Sequence, residues 1–238
     1  MSFKLSKSKV NSFLKCPREF QYSYIDEIQR PPNKFMKIGT DVHQIAEDFI
    51  AAWANNQVDD ILEYVLKLSA KYEDNYETHA VNLASFFQSI FVDEDYKIFM
   101  AEEYLFSEKY NFSGLADLVL EDDNGKLIVI DYKTGKTGSI KNYRLELCYY
   151  KMLLEDLYPD KEVVCAGIFF TKKGDCRFLM FSDEEIKGAR CNTEDYQAAI
   201  QLLDHVRVEI EEENFQPKKQ FLCNYCQYQD LCKKDGGI

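Results

Sequence analysis

FSGLADLVLEDDNGKLIVIDYK, residues 112–133, is the stretch that decides the fold. Two apolar runs, residues 115–120 and 127–130, flank a polar segment that ends in Asn124 and Gly125. An Asn-Gly pair supplies the positive-φ positions that a tight hairpin turn needs. The pattern therefore predicts two adjacent antiparallel strands.

Two acidic side chains and one basic side chain belong to this predicted hairpin. Asp117 interrupts the apolar pattern of the first strand, and Asp131 follows the run Leu-Ile-Val-Ile of the second strand directly. Lys133 points to the same side as Asp131, because side chains on a strand repeat every two residues. Carboxylates brought together suit Mg²⁺ or Mn²⁺, and a nearby lysine can orient or deprotonate a metal-bound water. The alternative is a structural ion pair of Asp131 with Lys133 on an exposed strand, which needs no function.

Length and composition limit the classes of protein to which the chain can belong. The chain has 238 residues, of which 46% are apolar, and this is enough for one large domain or two small ones. The sequence contains no signal-peptide pattern and no apolar run near the roughly 18 residues that a membrane span requires. We therefore expect a globular, cytoplasmic protein without a membrane partner. Eight cysteines in such a chain favour metal ligation or free thiols over a disulfide framework.

Charge is distributed unevenly along the chain. The net charge of −12 counts against a protein that coats nucleic acid non-specifically, because phosphate contacts depend on positive surface. Residues 1–40 carry eight basic and three acidic side chains, whereas residues 41–106 carry three basic and fourteen acidic ones. This asymmetry suggests a basic surface next to an acidic surface. The alternative is that the charged side chains of both segments are merely solvated.

The remaining periodicity predicts alternating helices and strands. Apolar residues from Leu5 to Tyr24 have helical spacing, and Pro17 after Cys16 predicts two short helices that meet at the cysteine. Helices are predicted over residues 39–53, 58–72 and 80–91, as a helical insertion over residues 41–100 before a sheet that begins near Glu102. A helix over residues 143–157 and a strand over residues 162–171 complete a β-α-β unit, which implies a parallel pair. An edge strand is predicted over residues 176–181 and a largely helical segment over residues 183–213.

Three cysteines near the C-terminus, Cys223, Cys226 and Cys232, are spaced C-x2-C-x5-C. A tetrahedral zinc ion or a four-iron cluster usually takes four thiolates, and spacing alone does not discriminate between the two. We choose Cys16 as the fourth ligand because it stands at a proline-marked break. Residue 16 and residues 214–238 would then form one metal module, and the shared metal centre would join the N- and C-terminal segments of the chain. The alternative is free thiols in a disordered tail. For the other cysteines we expect ordinary small side chains: Cys148, Cys165, Cys176 and Cys191.

Six short motifs, taken in their order along the chain, resemble the PD-(D/E)xK nuclease superfamily. They are CPREF at residues 16–20, GTDVHQIAE at 39–47, GLAD at 114–117, DYK at 131–133, ELCYY at 146–150 and the terminal C-x2-C-x5-C. Within that superfamily the chain is most similar to RecB-like exonucleases with a [4Fe–4S] cluster, closest to the CRISPR-associated Cas four family. The resemblance implies an α/β restriction-endonuclease-like fold with a mixed central sheet flanked by helices, in a single nuclease domain over residues 1–238. In this fold the iron–sulfur cluster joins the N- and C-terminal segments.

The resemblance also implies roles for individual residues. His43, Asp117, Asp131 and the backbone carbonyl of Tyr132 would hold the catalytic Mg²⁺ or Mn²⁺, and Lys133 would be the catalytic lysine. The cluster ligands would be Cys16, Cys223, Cys226 and Cys232, which favours iron over zinc by analogy only.

The helix motif of the family is usually Q-x-x-x-Y, and here its ends are Glu146 and Tyr150, both of which we count among the candidate catalytic residues. A glutamate in place of the amide would act as an extra metal ligand or weaken DNA binding, and the sequence leaves both open. Tyr149 and Tyr150 are expected to contact a DNA strand.

The function implied by the resemblance is metal-dependent exonucleolytic cleavage of single-stranded DNA ends, from 5′ to 3′. Its setting would be CRISPR adaptation, in which such a nuclease trims spacer precursors beside integrase proteins. One alternative is a repair or recombination nuclease that partners a helicase. Another is a non-catalytic DNA-end-binding subunit, which Glu146 and the acidic surface favour slightly.

Overall fold

The chain divides into two units in a computed structural model that describes residues 3–31, 34–74 and 76–237. The first unit comprises Met1–Pro31, Phe106–Gly114 and Gln197–Ile238, and the second comprises Pro32–Leu105 and Leu115–Tyr196. The assignment of residues 41–100 as an insertion within one nuclease domain stays a prediction. Among the described helices, none combines the length and apolar character needed to cross a membrane.

Short elements make up the terminal parts of the first unit. These are β1 (Leu5–Ser6), α1 (Lys7–Lys15), α2 (Pro17–Phe20), a π-helical turn (Gln21–Ile25), a 3₁₀ turn (Phe221–Tyr225) and α8 (Gln229–Lys234). Ser6 caps α1 by accepting a hydrogen bond from the Lys9 amide, and Pro17 begins α2. The prediction of two helices that meet at Cys16 is therefore confirmed. Leu5 is not helical as its spacing suggested, because it pairs in parallel with Phe112.

Three helices precede most of the sheet in the second unit. They are α3 (Lys34–Ala54), α4 (Ile61–Ser69) and α5 (Glu77–Gln88), the last followed by a π-helical turn (Ser89–Asp93). All three predicted helices are confirmed with shifted ends; α4, for example, begins where the side chain of Asp60 accepts the amide hydrogen of Glu63. Their apolar faces form one core with the sheet, in which Phe49 stacks on Phe87 at 4.3 Å between ring centroids. This core fixes the position of α3 against the strands.

A mixed sheet forms the centre of the fold. Its strands are β1, which pairs with β3, and then β2 (Lys97–Ser107), β3 (Phe112–Glu121), β4 (Leu127–Lys133), β5 (Val163–Phe170), β6 (Asp175–Phe181) and β7 (Ala189–Cys191). Strands β3 to β7 are neighbours in that order, and β2 also pairs with β3. The pairs β3–β4 and β5–β6 are antiparallel, whereas β4–β5 and β6–β7 are parallel. Helix α6 (Arg144–Leu157) connects β4 to β5, so the predicted hairpin, the β-α-β unit and the mixed α/β class are confirmed.

The turn of the β3–β4 hairpin differs from the predicted one. Gly125 has a positive φ of 74°, but Asn124 is not among the positive-φ residues. Instead, Oδ1 of Asp122 accepts hydrogen bonds from the amides of Asn124 and Lys126, each at 2.8 Å. The aspartate therefore shapes the turn, and glycine supplies its one left-handed position.

The end of the sheet contains a strand that the sequence did not predict. The prediction of β6 as an edge strand is wrong, because Phe181 pairs with Cys191 of β7. The prediction that residues 183–213 are largely helical is confirmed by α7 (Thr193–Glu211), although β7 precedes this helix. A strand of three residues is too short to show a period of two in the sequence.

Candidate active site

The β3–β4 hairpin places two buried carboxylates on neighbouring strands. Leu118 faces Ile130 in the antiparallel register, so Asp117 and Asp131 lie one step further along. Asp117 is 4% exposed and Asp131 0%. Oδ2 of Asp117 accepts the amide hydrogen of Tyr132 at 2.7 Å, which fixes this carboxylate across the two strands.

Helix α3 carries an imidazole to the same place. Nε2 of His43 lies 3.1 Å from the carbonyl oxygen of Tyr132, and Nδ1 lies 3.6 Å from Oδ2 of Asp117. Burial by itself lowers the pKa of His43, but the carboxylates of Glu102, Asp117 and Asp131 outweigh it and raise that pKa. The imidazole therefore faces a strongly acidic environment.

Glu102 of β2 is a site residue that the sequence analysis missed. Its Oε1 lies 3.7 Å from Nδ1 of His43, and ligand atoms of His43, Glu102 and Asp117 all lie within 4.8 Å of one another. Glu102 has a φ of 47°, a left-handed conformation that is uncommon for residues other than glycine and is frequent at functional sites. The only signal in the sequence was an acidic pair, Glu102 and Glu103, inside a strand.

The donor set at this position fits a divalent cation. Oε1 of Glu102 is buried and accepts no hydrogen bond within the described part of the chain. A buried carboxylate oxygen without a donor is costly, whereas a hard cation satisfies it. Two carboxylates and one imidazole within 4.8 Å of one another are therefore suited to Mg²⁺ or Mn²⁺.

Asp131 is not part of that group of three; it belongs to an adjacent network with a lysine. Nζ of Lys133 lies 2.5 Å from Oδ2 of Asp131 and 2.9 Å from Oε1 of Glu146. Burial alone lowers the pKa of Lys133, but the negative charges of Asp131 and Glu146 outweigh it and raise the pKa above its ordinary value. Lys133 is thus a charged ammonium, and it is paired with Asp131 of its own strand and with Glu146 of α6.

The tyrosines of α6 are buried rather than exposed. The hydroxyl of Tyr150 lies 2.9 Å from both Oδ1 of Asp131 and the carbonyl oxygen of Leu115. Tyr149 and Tyr150 are each 1% exposed. The prediction that these two side chains contact a DNA strand is therefore wrong: α6 packs against the sheet, and Tyr150 positions a carboxylate instead.

An open cleft leads to the imidazole and to Glu102. It has a volume of about 390 Å³ and is lined by residues of α3, β2 and β3: Gly39, Thr40, His43, Gln44, Glu47, Glu102 and Leu115. Leu115 is 46% exposed and forms an apolar part of its wall. A substrate can reach the acidic group through this cleft.

The four cysteines of the predicted metal module, Cys16, Cys223, Cys226 and Cys232, line one cavity of the first unit. None of these four cysteines forms a disulfide bond. The amide of Lys218 donates to Sγ of Cys16 at 3.5 Å, and the amide of Gln220 donates to Sγ of Cys223 at 3.4 Å. Amide hydrogen bonds of this kind stabilise thiolates that ligate iron or zinc. The donor set therefore fits a four-thiolate metal centre.

Comparison with known proteins gives one family and a set of solved structures with a similar fold. A crystal structure of a "Putative exonuclease" from Eubacterium rectale has a TM-score of 0.50 with 9% sequence identity, over 98% of this chain and 93% of that chain. At this identity the similarity bears on the fold alone. No curated protein matches the chain. The profile of the PD-(D/E)XK nuclease superfamily matches residues 4–233, and the chain therefore belongs to the PD-(D/E)XK nuclease superfamily.

Proposed function

We propose that this chain is a metal-dependent deoxyribonuclease that hydrolyses phosphodiester bonds from the 5′ towards the 3′ end of single-stranded DNA. The observation that supports this proposal best is the group formed by His43, Glu102 and Asp117 beside the Asp131–Lys133 pair. Acidic ligands next to a charged lysine are the arrangement that phosphate-ester hydrolysis at a cation requires. The open cleft at His43 gives the DNA backbone a path to this group.

Each side chain has a proposed part in the reaction. Mg²⁺ or Mn²⁺ would be held by His43, Glu102, Asp117, Asp131 and the carbonyl oxygen of Tyr132. The cation would polarise the scissile phosphate and lower the pKa of the attacking water. Lys133 stabilises the negative charge that develops on the phosphate in the transition state. Because its pKa is raised, Lys133 acts as a cation and not as a general base. Glu146 and Tyr150 position Lys133 and Asp131.

The decisive experiment is digestion of end-labelled single strands by protein purified without oxygen, in the presence of Mn²⁺. We expect Asp131→Ala and Lys133→Ala to lower the rate by about a hundredfold or more, because each removes charge from the reacting centre. Asp123→Ala is the matched control, since this carboxylate lies in the turn of the same hairpin and is 89% exposed. Equal rates in all four proteins would contradict the proposal. A 5′ label should be released early and a 3′ label late if the polarity is as proposed.

The proposal includes a [4Fe–4S] cluster held by Cys16, Cys223, Cys226 and Cys232. Its support is the shared cavity, in which Arg18 and Lys218 add positive charge near the thiols. Fresh protein should show a broad absorption band near about 400 nm, as expected for thiolate-ligated iron. Cys223→Ser should lose the band and Cys165→Ser should keep it. Zinc found by elemental analysis, without the band, would contradict the iron assignment.

The proposed setting is trimming of spacer precursors in CRISPR adaptation, beside integrase proteins in the cytoplasm. This part is supported by the order of the sequence motifs and by the cysteine spacing. The corresponding substrate is a DNA duplex with single-stranded overhangs. We expect the overhangs to be removed and the duplex to remain, and complete digestion of the duplex would contradict the assignment.

A non-catalytic DNA-end-binding subunit is the second candidate. It is favoured by one observation: the ammonium of Lys133 is already paired with both Asp131 and Glu146. A phosphate would have to compete with these two carboxylates. Binding of labelled DNA without degradation in the presence of Mn²⁺ would support this candidate over the nuclease.

A further inference from the structure

Two thiols outside the candidate active site lie next to each other. Cys148 of α6 and Cys191 of β7 have their Sγ atoms 3.4 Å apart, and both are free. Both side chains are buried. A disulfide bond needs an S–S distance of about 2.05 Å, so a relative movement of little more than 1 Å would allow the bond to form. The sequence pattern predicts only ordinary small side chains at both positions.

Polar contacts join α6 to β7 and to the first turn of α7 around these thiols. Arg144, in the first turn of α6, donates to Oδ1 of Asp195 at 2.9 Å and to the carbonyl oxygen of Arg190 at 3.4 Å. Arg190 directly precedes Cys191, and Arg144 lies one helical turn before Cys148. The contact of Arg144 with Arg190 therefore joins the helix and the strand that carry the two sulfur atoms.

A cavity gives small molecules access to one of the two thiols. It has a volume of about 340 Å³, and Cys191 lines it together with Lys151, Asn192, Thr193 and Tyr196. Cys148 is fully buried and does not line this cavity. The hydrogen bond between the two thiols lowers the pKa of Cys191 and raises the pKa of Cys148, so that Cys191 is the thiol that loses its proton first. A reagent in the cavity therefore meets the more reactive thiol first.

We propose that Cys148 and Cys191 are a redox-active pair that closes to a disulfide between α6 and β7. The oxidant is a low-molecular-weight disulfide. The Cys191 thiolate attacks one of its sulfur atoms, forms a mixed disulfide and releases the first thiolate. Cys148 then gives its proton to this released thiolate, and its sulfur attacks Sγ of Cys191 and releases the second thiolate. Two protein thiols lose two electrons and two protons, and the reagent becomes two thiols.

The bond would fasten the helix that bears Glu146 and Tyr150 to β7. Those two residues contact Lys133 and Asp131, so α6 links the thiol pair to the candidate active site. The proposed disulfide does not depend on the nuclease assignment, because its formation is measured without DNA or metal.

Peptide mapping of the whole chain tests the proposal. Reduced wild-type protein is treated with oxidised glutathione, its remaining thiols are alkylated, and it is digested with trypsin without reductant. We expect the peptides LELCYYK (residues 145–151) and CNTEDYQAAIQLLDHVR (residues 191–207) to be linked, and dithiothreitol to separate them. Cys165→Ser is the matched control and should give the same linked peptide.

Cys148→Ser examines the order of the two steps. The linked peptide should be absent from this variant, and glutathione should remain on Cys191 because the second thiol is missing. If folded wild-type protein yields both peptides fully alkylated, or links Cys191 to any other cysteine, the proposal is overturned. The peptide map of the wild-type protein tests the disulfide by itself, so the test does not depend on whether a variant folds.

Discussion

Nε2 of His43 lies 3.1 Å from the carbonyl oxygen of Tyr132, a residue 89 positions further along the chain. This contact joins α3 to the end of β4, and the amide of the same Tyr132 holds Asp117. Nε2 of the imidazole therefore contacts the main chain, whereas Nδ1 faces the carboxylates of Glu102 and Asp117. A single backbone segment therefore aligns both the histidine and the first aspartate of the candidate site.

Glu102→Gln tests whether the glutamate of β2 is a metal ligand. The substitution keeps the size of the side chain and removes its charge, so we expect Mn²⁺ to bind at least tenfold more weakly and nuclease activity to fall by about a hundredfold. Mn²⁺ affinity is measured by isothermal titration calorimetry. Glu103→Gln is the matched control, because Glu103 is the exposed neighbour on the same strand. Equal affinity in the two variants would remove Glu102 from the ligand set.

Tyr150→Phe tests the hydrogen bonds that position Asp131. The variant loses a buried hydroxyl with two partners, so the free energy of unfolding should fall by about 1–2 kcal/mol. The kcat for DNA cleavage should fall by about tenfold with little change in KM, because the hydroxyl acts through Asp131 and does not touch the substrate. Tyr158→Phe, at the partly exposed end of α6, serves as the control. A change in KM alone would argue for direct substrate contact.

Glu146→Gln addresses the departure from the usual Q-x-x-x-Y motif. The amide oxygen can still accept a hydrogen bond from Lys133, and one negative charge is removed near the place of the phosphate. We expect single-stranded DNA to bind several-fold more tightly at low salt, with the difference shrinking as salt screens the charge. Fluorescence anisotropy without divalent metal measures this Kd. Weaker binding than wild type would show that Glu146 supports the site by its charge.

His79 makes stability depend on pH. Burial, followed by the charge of Lys172, lowers the pKa of this imidazole, and its Nδ1 lies 2.8 Å from the hydroxyl of Thr171. A pKa lowered on folding contributes stability above the unfolded value of about 6.5, and this contribution is lost as pH falls through the folded pKa. The Tm of wild type should therefore drop more than that of His79→Gln between pH 7.5 and pH 5. His205→Gln, at an exposed histidine, should follow wild type.

The local sequence pattern predicted the site residues that lie on one continuous segment, the β3–β4 hairpin. The spacing of Asp117, Asp131 and Lys133 follows from the β3–β4 hairpin, and their proximity needed only the period of two along a strand. The meeting of α1 and α2 at Cys16 likewise followed from Pro17. The same reasoning could not find Glu102, because its orientation depends on one left-handed φ inside β2, which no alternation of apolar residues reveals.

The sequence by itself determined the superfamily motifs, the antiparallel hairpin, the β-α-β unit and the cysteine spacing, since all of these are encoded in neighbouring residues. Only the tertiary structure decided which side chains meet across the chain: His43 with Glu102, Lys133 with Glu146, and Cys148 with Cys191. The physical reason is that periodicity assigns a residue to a face of its own element. The packing of whole helices and strands against one core then decides which faces come together.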